Sequence, residues 1–553
     1  MRKGFLCIVL HAHLPYVRHP EYDCFLEENW LYEAITETYI PLLDMFGRLI
    51  NDRISFGITL SLSPTLVEMF NDHFLRERYK RYIENLLELT EREIRRTRGN
   101  IHFEPVARMY HERFRRVRFL FEEVYQKDLT AAFRKLQDAG NIRIITTAAT
   151  HAFLPNLFMY PEAVRAQIRI AAEHYKRNFC RCLEGIWLPE CGYAPGFENY
   201  LQEEGIRYFF LDTHGILFGR PFPEQGIYAP VFCPNGTVAF GRDPETSRQV
   251  WSSTEGYPGD FDYRDFYRDI GYDLDLEYLR PNINPDGIRS FTGIKYWRIT
   301  GKTDDKKPYV PEIAAQRVRE HAMHFIQAVQ ARMENLSLKS RICPVITAPY
   351  DAELFGHWWF EGPYWLEELL RGIQAKAKNF LTGTPAEYLS LFSDTDFQMI
   401  QPSQSSWGDL GYSEVWLNRE NDYIYRYIHK STEKMIWLAN RFSGPSEKQI
   451  PLLQSSTRVL NQAAREILLS QQSDWAFIMK AGTSSEYAKK RFEGHIHKFN
   501  ALYQLLINGE IQEGVLKSIE DTDRIFQELD YRAYSSSFSK GYDLRYPRNS
   551  STT

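Results

Sequence analysis

The sequence predicts an α/β protein: a parallel sheet closed into a barrel, a helical excursion from it, and an all-helical C-terminal domain. Three observations predict this. Short apolar, β-branched-rich runs alternate with helical patterns up to about residue 400. The stretch 71–126 breaks that rhythm, with apolar residues every third or fourth position amid dense charge. Beyond Gln401 the strand pattern stops and long helical patterns take over.

Residues 5–10 give the first strand. The run imitates a leader peptide, but it is short for an h-region, and His11 follows with no small-residue cleavage site. Further strands are expected at 56–62, 142–148, 185–188, 206–211 and 343–348. Between the fourth and fifth lies a helical pattern at 197–204, closed by Gly205, so 185–211 reads as one βαβ unit. Val164, Ile168, Ala171, Ala172 and Tyr175 recur at helical spacing, with Pro161 near the start. At 553 residues this alternation favours a barrel over an open sheet. In the excursion, Leu75, Tyr79, Tyr82, Ile83, Leu86, Leu87 and Ile94 mark one helix. Gly99 and Pro105 interrupt it, and a second follows at about 109–126. The C-terminal helices are expected at 421–441, 454–472, 485–508 and 519–530. The expected organisation is a catalytic domain over 1–403 with an insert at about 71–128, a helical domain over 404–530, and a disordered tail over 531–553, rich in Ser, Tyr and Arg.

Composition narrows the function. With 43% hydrophobic and 25% charged residues the chain folds as a globular protein. Lys+Arg 67 against Asp+Glu 72 leaves a net charge of -5, so the basic footprint of a nucleic-acid binder is absent. No run approaches the ~20 apolar residues of a membrane helix. The seven cysteines lack the spacing of a disulfide framework, which points to a reducing cytoplasm. Cys180-x-Cys182 has no second pair to complete a zinc site. The aromatic fraction of 15% serves a packed core and also suits stacking on the apolar faces of sugar rings.

The candidate reactive residues fall at strand ends. His11 and His13 end the first strand, and His151 follows the third. Glu190, the pair Asp212 and His214, and Asp351 follow later strands. In parallel β/α barrels the loops after the strands build the active site. Glu190 and Asp351 both sit among prolines and aromatics. Such surroundings exclude water and raise a carboxyl pKa. Paired carboxylates beside aromatic platforms suit glycosidic chemistry, and Trp358, Trp359 and Trp407 are candidate platforms. His11-x-His13 allows two roles: ligation of a metal together with an Asp, or hydrogen bonding to sugar hydroxyls. The spacing leaves both open.

Several ordered motifs make the sequence resemble glycoside hydrolase family 57 and, within it, the 1,4-α-glucan branching enzymes. They are His11-Ala12-His13-Leu14-Pro15, Thr150-His151 with Leu154-Pro155, and Gly185-Ile186-Trp187-Leu188-Pro189-Glu190. They continue with Pro349-Tyr350-Asp351-Ala352-Glu353-Leu354-Phe355-Gly356-His357-Trp358, Ser406-Trp407-Gly408 and Ser473-Asp474-Trp475, over about residues 1–530. The resemblance implies an incomplete (β/α)7 barrel with a helical C-terminal domain, and a retaining mechanism on α-1,4-glucans such as glycogen or amylose. It places Glu190 as nucleophile and Asp351 as acid/base, and lines the −1 subsite with His11, His13 and His151. It implies glucan contacts at Arg264, Gly293, Trp407 and Asp474. A further contact position, often Gln in these enzymes, falls on Thr483. It also implies no metal and no cofactor. A loop at 219–250, rich in Pro and Gly, is expected on the active-site face with Tyr228 closing over the site. The readings carried forward beside branching are α-amylase, 4-α-glucanotransferase and a non-catalytic glucan-binding protein. A metal-dependent deacetylase is the fourth.

Overall fold

A computed structural model describes residues 4–252, 255–283, 287–443 and 454–536. Nine strands are present among them: β1 (Gly4–Ala12), β2 (Ile58–Leu62), β3 (Ile142–Ile145), β4 (Gly185–Ile186), β5 (Tyr208–Leu211), β6 (Val231–Phe232), β7 (Val238–Gly241), β8 (Val345–Asp351) and β9 (Phe380–Thr382). One sheet runs β3-β2-β1-β8, all parallel, with β9 added along the first residues of β1. The other runs β4-β5-β7-β6, parallel except for the antiparallel β6. Parallel bridges Thr146↔Ile186 and Arg242↔Thr347 link the two sheets at both edges.

The strands are buried on both faces, which explains why they read as unbroken apolar runs. Period two still divides them. Phe5, Cys7 and Val9 join Ile145, Trp187, Phe210, Phe240 and Val345 in one cluster between the sheets. The alternate residues Leu6, Ile8 and Leu10 pack into the larger core against helices. Continuing the same parity to the strand ends puts His11 on the face of Phe5, Cys7 and Val9. Asp351 shares it, because β1 and β8 pair with His11 opposite Asp351.

The excursion is a pair of helices, His73–Arg96 and Phe103–Phe119, extended by a π turn at Leu120–Val124. Each has a buried stripe (Tyr79, Ile83, Leu86 and Leu87 on the first; Val106, Tyr110 and Phe114 on the second) and a charged outer face. The C-terminal region contains the helices Tyr423–Ser443, Gln454–Ser470, Ser473–Ala481, Ser485–Asn508 and Glu513–Thr522. Its inner link is a polar set in which the buried His495 Nδ1 lies 2.8 Å from the buried Glu466, and the half-buried Lys498 Nζ lies 2.5 Å from the buried Asp523. No helix among the described residues is long and apolar enough to cross a membrane.

Four expectations are corrected. The loop 219–250 is a short hairpin, β6 and β7, followed by the helix Pro244–Trp251. β6 and β9 are too short to leave a periodic trace, and β7 lies within a Pro- and Gly-rich stretch. The last C-terminal helix begins at Glu513 and ends at Thr522, where the sequence suggests 519–530, and a further helix, Ser473–Ala481, stands between two expected ones, where the sequence reading places none. Of the tail, Tyr531–Tyr534 forms a 3-10 turn with Tyr531 and Tyr534 buried, and Ser535 Oγ donates to Asn440 Oδ1 at 3.0 Å. The rest, 537–553, lies outside the described residues.

One turn depends on a glycine. Gly356 has φ +113°, and an added Cβ would sit 1.9 Å from the Glu37 carbonyl oxygen. Backbone on both sides leaves nothing flexible to yield. Gly356→Ala is expected to cost about 3 kcal/mol and to lower the thermal midpoint by several degrees; an unchanged midpoint would show that the turn relaxes.

Candidate active site

The nucleophile candidate sits on a strained bend. After β4, Pro189–Cys191 forms a 3-10 turn in which Cys191 N–H donates to Leu188 O at 2.9 Å. Glu190 and Cys191 have φ of 61° and 50°, and His151 across the site has 54°. Non-glycine residues occupy this left-handed region only where their surroundings hold them, and they concentrate at functional sites. Here the hold is a segment from far along the chain. Residues 401–407 return antiparallel to the bend: Tyr193 pairs with Ser405, and Trp407 N–H donates to Glu190 O at 2.9 Å.

The Glu190 carboxylate receives two donors. Trp407 Nε1–H reaches Oε2 at 2.8 Å and Ser473 Oγ–H reaches Oε1 at 3.1 Å. Ser473 comes from the first turn of a C-terminal helix, docked by its N–H donating to His151 O at 3.1 Å. Because Ser473 gives its only proton to Glu190, it must accept from His151 Nδ1, 2.8 Å away. His151 Nε2 then accepts from His11 Nε2 at 2.9 Å, and His11 Nδ1 accepts from Ser61 at 3.2 Å. The chain of partners thus assigns both tautomers, with both rings neutral. Burial agrees: it pushes the His151 and His11 pKa values well below the usual imidazole range.

His13 Nε2 donates to Asp474 at 3.0 Å, and its ring stacks on His151 with centroids 3.8 Å apart. His11 stacks in turn on Trp187 at 5.2 Å. His13, His151 and Asp474 offer ligand atoms within 4.8 Å of one another, so a metal is a geometric possibility. The stacked rings, however, aim their in-plane lone pairs side by side rather than at a common point, which suits a polar wall better than tetrahedral ligation.

Asp351 differs from Glu190. Among the described residues it has no hydrogen-bond partner for its carboxyl. Burial pushes its pKa well above the usual carboxyl range, and the charges of Glu353 and Glu190 add to this. Burial raises Glu190 only to about 7, since Trp407 and Ser473 favour its charged form. Glu353, two residues beyond Asp351, accepts from His13 N–H at 3.2 Å and from the Tyr39 hydroxyl, and burial lifts it to about 7. So one carboxyl is supplied with donors and the other is left a proton carrier.

The other expected residues divide. Trp358 is 53% exposed and stacks on Phe266 at 4.4 Å, an open platform. Trp359 is a core residue, 2% exposed, which removes it from the platforms. Arg264 and Gly293 do meet: Arg264 Nη1 donates to Gly293 O at 3.4 Å and Nη2 to His357 O at 3.3 Å. Arg264 is buried, so it braces the turn before Trp358 from behind. Thr483 is exposed beyond Gly482, one nine-residue helix away from Asp474. Tyr228 is corrected. Its carbonyl accepts from Val345 N–H at 2.9 Å, at the start of β8, while Asp351 is at the end. Its hydroxyl is tied to Arg332 at 3.2 Å. It packs against the far end of the strand and closes over nothing.

Sequence reasoning missed Ser61, Tyr39, Glu353, Arg242 and Trp251. Ser61 and Glu353 had a signal, since one shares strand parity with His11 and the other lies inside the Asp351 motif. Trp251 ends the helix Pro244–Trp251 with its ring edge-on to Trp407 at 6.2 Å and had none.

Comparison with known proteins accounts for these motifs. The sequence model of glycosyl hydrolase family 57 matches residues 7–401, and that of the C-terminal region of 1,4-α-glucan branching enzymes matches 427–534. The chain belongs to glycosyl hydrolase family 57. It is 34% identical to a 1,4-α-glucan branching enzyme of Thermococcus kodakarensis, over 97% of this chain and 79% of that protein. Among solved structures it is similar to an α-amylase of Thermotoga maritima (43% identity, TM-score 0.89, 96% of this chain and 99% of that one). It is also similar to a family 57 branching enzyme of Pyrococcus horikoshii (34% identity, TM-score 0.84, 96% and 97%).

Trp407→Phe keeps an aromatic ring, smaller than the indole, and deletes the N–H that favours ionised Glu190. The Glu190 pKa is expected to rise from about 7 by about one unit, read by carbon NMR of labelled glutamate. A fall, or no change, would detach Trp407 from the Glu190 carboxylate.

Proposed function

We propose that this family 57 chain is a retaining 1,4-α-glucan branching enzyme, with Glu190 as nucleophile and Asp351 as acid/base. The observation that carries the reading is the division of labour between two buried carboxyls at strand ends: Glu190 with two donors, Asp351 with none. Glu190 attacks the anomeric carbon while Asp351 gives its proton to the leaving glycosidic oxygen. A covalent glycosyl-enzyme forms. A glucan 6-hydroxyl then attacks, Asp351 takes its proton, and an α-1,6 branch results. His11, His13, His151 and Asp474 form the polar wall for the bound sugar, and Trp407 and Trp358 its apolar surfaces. Ser473 and Asp474 bring the helical region into the site.

The seven parallel strands β1, β2, β3, β4, β5, β7 and β8, with β9 added along β1, are read as an incomplete (β/α)7 barrel; the two inter-sheet bridges and the enclosed apolar cluster support this. The partner is an α-glucan, and the net charge of -5 offers nucleic acid no footprint. A cytoplasmic location is supported by seven cysteines that lack the spacing of a disulfide framework. A second reading, α-amylase, is favoured by the similarity to the Thermotoga maritima enzyme. It shares every step up to the covalent intermediate, which water then attacks.

Glu190→Ala is expected to lose turnover by about 10⁴-fold or more, with azide restoring cleavage by filling the vacated space. Asp351→Asn is expected to cripple cleavage of natural glucan while sparing the first step on substrates whose leaving group needs no proton. Equal loss on both substrate types would sink the acid/base role.

Incubation with amylose, followed by debranching and chain-length analysis, separates the two readings. New short chains released only by debranching are expected. Reducing ends before debranching, with no new short chains after it, would give the site to hydrolysis.

A further inference from the structure

Asp212 and His214 end β5, and the reaction above uses neither. His214 sets both ring nitrogens against acceptors: Nδ1 lies 3.3 Å from Asp212 Oδ1, and Nε2 lies 2.6 Å from the Gly411 carbonyl oxygen. A carboxylate and a carbonyl only accept, so both contacts are hydrogen bonds at once only when both nitrogens carry protons. Arg242 Nη1 donates to the other Asp212 oxygen at 2.9 Å, which keeps the carboxylate ionised to receive that second proton. The remaining neighbours are the rings of Phe218, at 6.4 Å, and Tyr412, at 5.3 Å.

The Gly411 carbonyl also accepts from Ser406 N–H at 2.9 Å, so one oxygen closes the turn 406–411 and anchors it to His214. Glycine is required there twice over: φ is +78°, and a Cβ would lie 2.9 Å from His214 Cε1. The turn begins with Trp407, which holds Glu190 by its backbone N–H and by its indole N–H.

We propose that His214, as the imidazolium, is a positioning residue that clamps the 406–411 turn and so aims the Trp407 indole at Glu190. The hydrogen bond to Asp212 raises the His214 pKa above its ordinary value, with the Gly411 carbonyl acting in the same direction. Below that raised pKa the ring joins Asp212 and Gly411 at once; as pH rises through it the neutral ring keeps a donor for only one of them, and the clamp loosens. Loosening withdraws a donor from Glu190, so loss of the clamp and loss of the Trp407 N–H should act alike.

The inference rests on Glu190 being the nucleophile, and its test has two arms. The first titrates the His214 imidazole by NMR in the full chain, with His214→Gln assigning the signal. A pKa above the ordinary value near 6.5 is expected, and a value at or below it overturns the clamp. This arm needs no turnover, so it stands even if azide fails to rescue Glu190→Ala and that reading falls. The second follows the acid limb of kcat/KM on an aryl α-maltooligoside. His214→Gln is expected to move the limb up by about half to one pH unit, as Trp407→Phe does. In the Trp407→Phe background it is expected to move it no further, because the two act through one donor. A limb that stays in place, or shifts that add in the double variant, overturns the proposal. If His214→Gln does not fold, the titration of the unmodified protein against its other histidines decides.

Discussion

A carboxylate taken out of water must be given donors or keep its proton. The rest of this site follows from that constraint. Glu190 and Asp351 leave strands of different sheets, β4 and β8, into the same space, and the chain treats them in opposite ways. Glu190 gets two N–H or O–H donors and remains ionisable near neutrality. Asp351 gets none, and the charges beside it make ionisation harder still. The asymmetry that a retaining mechanism needs is thus built from hydrogen-bond supply, with no difference in burial required.

Supplying those donors dictates the architecture. Trp407 lies 217 residues beyond Glu190 in sequence, and Ser473 lies 283 beyond it. Neither can arrive unless the segment after β9 folds back along the bend and the helical region docks on His151. That docking also holds three left-handed residues, each of which costs of order 1–3 kcal/mol when unsupported. The bridge between Tyr193 and Ser405 and the bond from Ser473 N–H to His151 O do this holding. Strain and electrostatics share the same few contacts, so the catalytic sheet and the C-terminal helices form one functional unit.

Much of this was legible in the sequence, for physical reasons. Buried parallel strands leave long apolar runs, so β1, β2, β3, β5 and β8 announce themselves, and with them the residues at their ends. The motifs around Glu190 and Asp351 are dense in proline and aromatics because the site must be dry. What escaped notice was short or distant. β7 is four residues inside a Pro- and Gly-rich stretch, so that stretch read as a lid and Tyr228 as its tip. Trp359 looked like its neighbour Trp358, yet one faces the core and the other solvent. The relay from Ser61 to Ser473 joins residues over 400 positions apart, and no local pattern encodes it.

The double likeness, to branching enzymes and to an α-amylase, follows from the same geometry. In the proposed mechanism the groups around Glu190 and Asp351 serve the first half of the reaction, and microscopic reversibility lets Asp351 serve the second with any hydroxyl. Branching and hydrolysis therefore differ in what reaches the covalent intermediate, and the intermediate itself is common to both. The sugar-side wall of histidines is buried and fixed. Around it, Trp358 and Trp251 present rings to solvent, and the 406–411 turn is anchored through His214. Under the proposed mechanism, selection between water and a second glucan chain falls to the surfaces that border the covalent intermediate. A family can then keep one catalytic centre and change its product by changing only this rim.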